Sequence, residues 1–328
     1  MVMELPAYPA NIRDILNQSS SVIIAGHINP DGDCLSSQIA LGKMLTAMGK
    51  NVVLANVGPF ERTEISKWKK FFVQNVTPEM RAGNPLLIVT DCSTSDRIGT
   101  LYEETKGLKT VIIDHHSSGE PFGDYRYIVP TSPSTTLLIQ RLYHDMNQPI
   151  SKDAAYFIFF GFSTDTGYFR FINAGQGFAL GYASELVDLG VSPNSVYMKM
   201  NGGKKLPFIR YLGALIERCE PFLGGKVMCS YSYQKDKETF GEDKPSDLFY
   251  AQMLSVEDVQ VVILFKEMPD GKTEVGFRSS HDSDADVGIL AATYGGGGHK
   301  HASGVTVARN ITEIRQMLLK ELEKQFSD

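Results

Sequence analysis

The chain has 328 residues, of which 42% are hydrophobic and 21% charged, and its formal net charge is −6. That length and composition suit a globular protein with two domains of ordinary size. The acidic balance argues against a protein that grips long nucleic acid, which calls for a basic excess, and no apolar run reaches the roughly 18 residues of a membrane span.

The N-terminal stretch "MVMELPAYPANIRDIL" has no basic region leading into an apolar one, so a secretory signal is not expected. The cysteines, Cys34, Cys92, Cys219 and Cys229, show no C-x-x-C spacing and read as thiols of a reducing cytoplasm. "SVIIAGH", "NVVLAN", "PLLIVTD" and "TVIID" read as buried strands bounded by Gly, Pro or Asn. Between the first two, "CLSSQIALGKMLTAMG" carries Leu41, Leu45 and Met48 at helical spacing, with Gly49 suited to its C-terminus. Strand–helix–strand alternation predicts a parallel sheet covered on both faces. The first part of "SKDAAYFIFFGFSTDTGYF" predicts a buried helix ending near Gly161 or Gly167.

The Gly, Pro, Ser and Asn of "LGVSPNSVYMKMNGGKKLP" predict a boundary, giving domains over 1–190 and 208–328 with a linker over 191–207. Beyond it, "GKVMCSYSY", "VQVVILFKEMPDGKTEVGFRSS" and "HASGVTVAR" read as strands, the second a hairpin turned at Asp270-Gly271. "NITEIRQMLLKELEKQF" predicts a last helix capped by Asn310 with Glu313, its apolar stripe made by Ile314, Leu318 and Leu322. The expected class is α/β, with a parallel-sheet first domain and a smaller α/β second domain.

Four clusters lie at or just after elements of the first half. They are "GHINPDGD" (His27, Asp31, Asp33), "VTDCS" (Asp91), "IIDHH" (Asp114, His115, His116) and "STDTG" (Asp165). Each alone is unremarkable, since an Asp at a strand end commonly caps a turn or a helix. In a parallel sheet, however, the carboxyl ends of the strands share one edge. Carboxylates gathered there repel one another unless cations neutralise them. A mixed N/O set suits Mn²⁺ best, with Mg²⁺, Fe²⁺ or Co²⁺ as alternatives, and no Cys pair points to structural zinc. Two such ions about 3.5–4 Å apart form a clamp for in-line displacement at phosphorus. Cys34 and Cys92 flank Asp33 and Asp91 and read as small packing residues.

The motifs "HINPDGD", "TDC", "DHH" and "TDTG", in this order, resemble the DHH phosphoesterases. The resemblance implies that His27, Asp31, Asp33, Asp91, His115 and Asp165 hold two metal ions, with Asp91 bridging them. It also implies that Asp114 orients a neighbouring histidine and that His116 faces the substrate phosphate. "YGGGGHKHASG" resembles the hallmark of the DHH-associated C-terminal domain, and "GFRSS" fits it too. By that resemblance Arg278, His299, Ser303 and the glycine amides, Gly297 and Gly298 among them, contact the substrate, in a cleft between the domains. Arg170 in "YFRF" is a further candidate to meet a base or phosphate.

The expected activity is Mn²⁺-dependent hydrolysis of short oligoribonucleotides to mononucleotides, with pAp to AMP as a companion reaction. A cyclic- or linear-dinucleotide phosphodiesterase is the alternative, and a metal- or nucleotide-binding module the non-enzymatic one. The expected partners are short oligoribonucleotides or small nucleotides, without long nucleic acid or membrane; the sequence leaves the oligomeric state open.

Overall fold

The computed structural model describes residues 4–117 and 119–326. The chain divides into two compact units between Gly202 and Gly203.

In the first unit the order is α1 (Ala10–Gln18), β1 (Ser21–Ala25), α2 (Gly32–Ala47), β2 (Asn51–Ala55), β3 (Leu86–Thr90), α3 (Leu101–Thr105), β4 (Thr110–Asp114), β5 (Tyr125–Ile128), α4 (Thr135–Asp145), α5 (Lys152–Asp165), α6 (Phe178–Asp188) and α7 (Pro193–Asn201). The strands form a parallel sheet in the order β2-β1-β3-β4-β5. Alternation along each strand fills two cores. Val22, Ile24, Leu86, Ile88, Val111 and Ile113 pack on the side of α2, α4 and α5. Ile23, Ala25, Leu87, Val89 and Ile112 pack on the other side, with Ile98 and Leu101. Both faces are therefore buried, as the apolar runs of the sequence predict.

The chain leaves β1 for β2 on one side and returns to β3 on the other. The crevice between the carboxyl ends of β1 and β3 is thus a topological switch point, where open α/β sheets bind ligands. His27 follows β1 and Asp91 follows β3. Helices α2 and α5 approach closely there. A methyl on Gly32 would lie 2.5 Å from Thr164 Oγ1, and one on Gly161 would overlap Thr136 Cγ2 and lie 2.8 Å from Asp33 Oδ1. Gly161 sits inside α5, which runs on to Asp165.

The segment 191–207, expected as a linker, differs. Ser192 caps α7 by accepting from the Ser195 amide, and Pro193 stands in its first turn. Ser-Pro there is a helix start, since proline loses nothing at a position whose N–H has no partner.

The second unit contains α8 (Leu206–Glu217), β6 (Glu220–Phe222), β7 (Val227–Ser232), α9 (Gln234–Phe240), α10 (Ser246–Met253), β8 (Val261–Glu267), β9 (Thr273–Ser279), α11 (Val287–Thr293), β10 (Gly297–His299), β11 (Ala302–Val307) and α12 (Ile311–Gln325). Its sheet has the order β10-β11-β9-β8-β7-β6, antiparallel except for β7 beside β8. Asn310 caps α12 through the Glu313 amide, and Ile314, Leu318 and Leu322 are buried, as their spacing predicts.

The close approach of α5 yields a test. Alanine normally stabilises a helix interior by about 0.5–1 kcal/mol over glycine. At Gly161 the added methyl overpacks the α2–α4–α5 contact, which costs about 1–3 kcal/mol. Gly161→Ala should lower the melting temperature by several degrees, at roughly 2–4 °C per kcal/mol. Gly181→Ala in α6, with no atom within 4 Å of the new methyl, should not. Equal melting temperatures for the two variants would contradict the packing account.

Candidate metal and phosphoester site

Asp91 lies at the centre of the site. Its φ of +60° is left-handed, a region that Asp tolerates better than most residues. Its buried carboxylate has His27 Nε2 3.5 Å from Oδ2, and His115 Nε2 3.6 Å from Oδ1. The Thr135 hydroxyl donates to Oδ1 at 2.9 Å.

The other residues arrive from four further element ends. Asp31 caps α2, accepting from the Cys34 amide through Oδ1 at 3.0 Å, and its Oδ2 lies 3.9 Å from His27 Nε2. Asp33, in the first turn of the same helix, is fully buried. Its oxygens accept from the amides of Thr135 (2.6 Å) and Thr136 (3.0 Å) and from the Thr136 hydroxyl. Thus the N-terminus of α4 holds a carboxylate from α2, as a helix N-terminus is suited to do. Asp165 ends α5 and places Oδ2 3.0 Å from His115 Nε2. That nitrogen is buried and no acceptor is aligned with it for a hydrogen bond. The ligand atoms of Asp33, His115 and Asp165 lie within 4.8 Å of one another, as do those of Asp91, His115 and His116 and those of His27, Cys34 and Asp91.

The adjacent histidines separate in role. His115 Nδ1 faces Ser132 O at 3.2 Å, which turns Nε2 toward Asp91 and Asp165. His116 Nδ1 donates to Asp114 Oδ1 at 2.8 Å, and the amides of both histidines donate to the same oxygen. The His116 side chain is 41% exposed, and that of Asp114 is fully buried. Asp114 therefore fixes the orientation of His116 from below.

Protonation follows this geometry. Burial, then the charges of Asp165 and Asp91, push Asp33 well above the usual carboxylate range. Burial, then Asp31 and Asp165, do the same to Asp91. For His115 burial opposes the charged ring, but contact with Asp165 and the charges of Asp33 and Asp91 outweigh it and push the imidazole up to about 10. Burial would raise Asp114, yet the His116 hydrogen bond and charge hold it below its ordinary value. The same hydrogen bond raises His116. Without cations, protons take over the neutralising role. The hard oxygen and imidazole donors, the crowding of carboxylates and the unaligned His115 nitrogen all fit divalent cations.

All six expected ligands and both residues of the Asp114–His116 pair therefore meet at one sheet edge. The sequence reading missed Thr135 and Thr136. Ser134 before an apolar run, the signal of a helix N-cap, was available for finding them. Arg170 is exposed, its Nε donating to Gly167 O and its guanidinium over Phe171; the described contacts do not tie it to the cluster.

In the second unit, the register places His299, Ala302 and Arg278 side by side across β10, β11 and β9. Gly297, Gly304 and Gly276 form the next row. Gly298 has φ +143°, and a methyl there would lie 2.5 Å from Ala302 O, so only glycine fits. Ser303 differs from the expectation. It alternates to the opposite face, where its hydroxyl donates to Val287 O, so only its backbone is near Arg278.

The model of the DHH family N-terminal domain matches residues 21–162, and that of the DHHA1 domain matches residues 237–328. The chain belongs to the DHH family of phosphoric-ester hydrolases. Two relatives bear the name bifunctional oligoribonuclease and PAP phosphatase. That of Thermus thermophilus is 25% identical over 93% of this chain and 90% of its own. That of Bacillus subtilis is 27% identical over 92% and 96%. A cyclic-di-AMP phosphodiesterase of Listeria monocytogenes is 23% identical over 96% of this chain but 48% of its own. The fold matches the crystal structure of an exopolyphosphatase-related protein from Bacteroides fragilis, with TM-score 0.78, 21% identity and 97% of each chain covered. No helix among the described residues is long and apolar enough to cross a membrane.

The protonation pattern sets a pH dependence. Asp33, Asp91 and His115 all bind protons more tightly in the folded, cation-free chain than unfolded. The carboxylates favour the folded state most at low pH, and that share is lost as pH rises. The share of His115, complete below the unfolded histidine pKa near 6.5, is lost as pH climbs toward about 10. Cations displace these protons. The gain in melting temperature on adding Mn²⁺ to chelator-treated protein should therefore grow between about pH 6.5 and 8.5. A gain that is constant or shrinks over that window would contradict the assignment.

Proposed function

We propose that this chain hydrolyses very short oligoribonucleotides to mononucleotides, and pAp to AMP, in a Mn²⁺-dependent reaction. The observation that carries the reading is the pairing at the end of β4. His115 turns inward to the carboxylates, while His116, held by Asp114, stands at the exposed mouth. Two divalent cations, held by His27, Asp31, Asp33, Asp91, His115 and Asp165 with Asp91 between them, would acidify the attacking water and neutralise the phosphoryl oxygens. The remaining work belongs to side chains. Asp114 keeps the His116 Nδ1 proton in place, so that Nε2 points outward and, when protonated, hydrogen-bonds the phosphoryl group or protonates the leaving oxygen. In the second unit, Arg278 and His299 would contact a part of the substrate away from the scissile bond, and the amides of Gly297 and Gly298 lie beside them. Exposed Arg170, just past Asp165, would be a further contact for a base or phosphate.

Support comes from the two relatives named as oligoribonuclease and PAP phosphatase, each matched over nearly its whole length. The Listeria relative favours a second reading, cleavage of cyclic or linear dinucleotides, though this chain spans about half of that protein. Product analysis with pAp, a dinucleotide, a five-nucleotide RNA and a cyclic dinucleotide, side by side, separates the two. Mononucleotides from the five-nucleotide RNA and AMP from pAp favour the first reading, and turnover confined to the dinucleotides, cyclic or linear, favours the second.

Two variants test the roles. His116→Ala should keep the full metal content while lowering kcat, because it acts on the substrate. Stoichiometric metal loss in that variant would mean that His116 is a ligand. Arg278→Ala removes a charged hydrogen bond worth about 1.5–3 kcal/mol. It should lower kcat/KM for di- to tetranucleotides by about tenfold to a hundredfold, and by clearly less for a p-nitrophenyl phosphodiester. Equal losses on both would assign Arg278 to the fold.

A further inference from the structure

His281 and His301 belong neither to the carboxylate cluster nor to the groups proposed to touch substrate. His281 lies in the loop after β9, and His301 lies in the turn between β10 and β11. Their ring centres are 4.9 Å apart, with the ring planes at 50°. A zinc–imidazole bond is about 2.1 Å long and the ring centre lies about 1.1 Å behind the nitrogen, so two imidazoles on one ion at angles of about 90–109° have centres about 4.5–5.2 Å apart. The observed spacing falls inside that range.

The backbone fixes both residues. The Ser279 amide donates to His301 O at 3.1 Å, which ties the turn to the end of β9. The Ser280 amide donates to Gln260 O at 2.9 Å, and the Ser283 amide donates to Ser280 O at 3.2 Å, so His281 and Asp282 stand at the corners of a closed turn.

The hydrogen bonding around His301 supplies a second, independent observation. The Ser279 hydroxyl donates its one proton to Lys300 O at 3.5 Å. Toward His301 Nδ1, 2.9 Å away, the same oxygen is therefore an acceptor. Nδ1 then carries the ring proton, and Nε2 presents a lone pair. A ring nitrogen that donates to an oxygen while the other is free for an ion is the usual support of a metal-binding histidine. Charge acts in the same direction. Asp282 and Asp284 are exposed on the His281 loop, and exposed Lys300 is the one cation of the turn. Among the described residues no third histidine, cysteine or carboxylate joins the pair at ligand spacing, so water fills the remaining positions.

We propose that His281 and His301 form a second metal site, which takes a borderline transition-metal cation, Zn²⁺ first among them. Paired imidazoles with water suit Zn²⁺, Ni²⁺ or Cu²⁺, whereas the carboxylate-rich cluster suits Mn²⁺. The two sites share no residue, and the second does not depend on the hydrolytic reading. An ion bound there joins the loop after β9 to the turn beside His299.

The test is equilibrium dialysis of the full chain, loaded with Mn²⁺, against a series of Zn²⁺ concentrations, with both metals counted per chain. Exchange of Zn²⁺ for Mn²⁺ at the carboxylate cluster is common to the wild type and the variants, so the difference between them reports the histidine pair alone. The wild type should hold one more Zn²⁺ per chain than His281→Ala or His301→Ala. The single imidazole left in either variant should bind at least about tenfold more weakly, because the second donor of a chelate acts at a high effective concentration. Thermal melts verify folding. His281→Ala removes an exposed side chain and decides the matter even where His301→Ala, which also breaks the Ser279 bond, does not fold. Equal Zn²⁺ content in the wild type and folded His281→Ala, at every Zn²⁺ concentration, would overturn the proposal.

Discussion

The structure depends on the mutual repulsion of carboxylates that the fold forces together. Asp31 and Asp33 come from the start of α2, Asp91 from the end of β3 and Asp165 from the end of α5, and Asp33 and Asp91 are almost entirely buried. Burying one uncompensated charge costs on the order of several kcal/mol. The chain meets part of that cost with fixed donors, the amides and hydroxyls of Thr135 and Thr136. The rest is met by protons on Asp33, Asp91 and His115 or by cations. An arrangement that only cations complete is costly as pure architecture and intelligible as a metal centre.

The scaffold provides the convergence. The parallel sheet brings the ends of β1, β3 and β4 to one edge, and the switch in strand order opens a crevice between β1 and β3. Glycine at 32 and 161 lets α2 and α5 approach until Asp33 and Asp165 share His115. The left-handed backbone at Asp91 turns its carboxylate across the crevice. Local strain at this residue is held by packing on both sides of the sheet, a common arrangement at functional sites.

Much of this was legible in the sequence. The apolar runs before His27, Asp91 and Asp114 are the strands β1, β3 and β4, because a buried parallel strand needs no alternation and ends where polar residues begin. The motif residues meet because sheet topology brings distant positions together. Other features were not legible. Ser192-Pro193 reads as part of a loop, since the same residue types punctuate turns and start helices, and only packing decides between them. Ser303 stands in the glycine-rich motif, but strand alternation turns its hydroxyl to the opposite face from Arg278. The glycine row needs three strands in register, and a single strand's sequence does not carry that information.

The central claim is that the carboxylate cluster is a two-cation site organised by Asp91. Metal content after equilibrium dialysis of the chelator-stripped chain against Mn²⁺, compared between the wild type and Asp91→Ala, tests it most directly. The account predicts two ions per wild-type chain and loss of both when the shared carboxylate is removed. Two ions retained in Asp91→Ala, or none bound by the wild type, would contradict it.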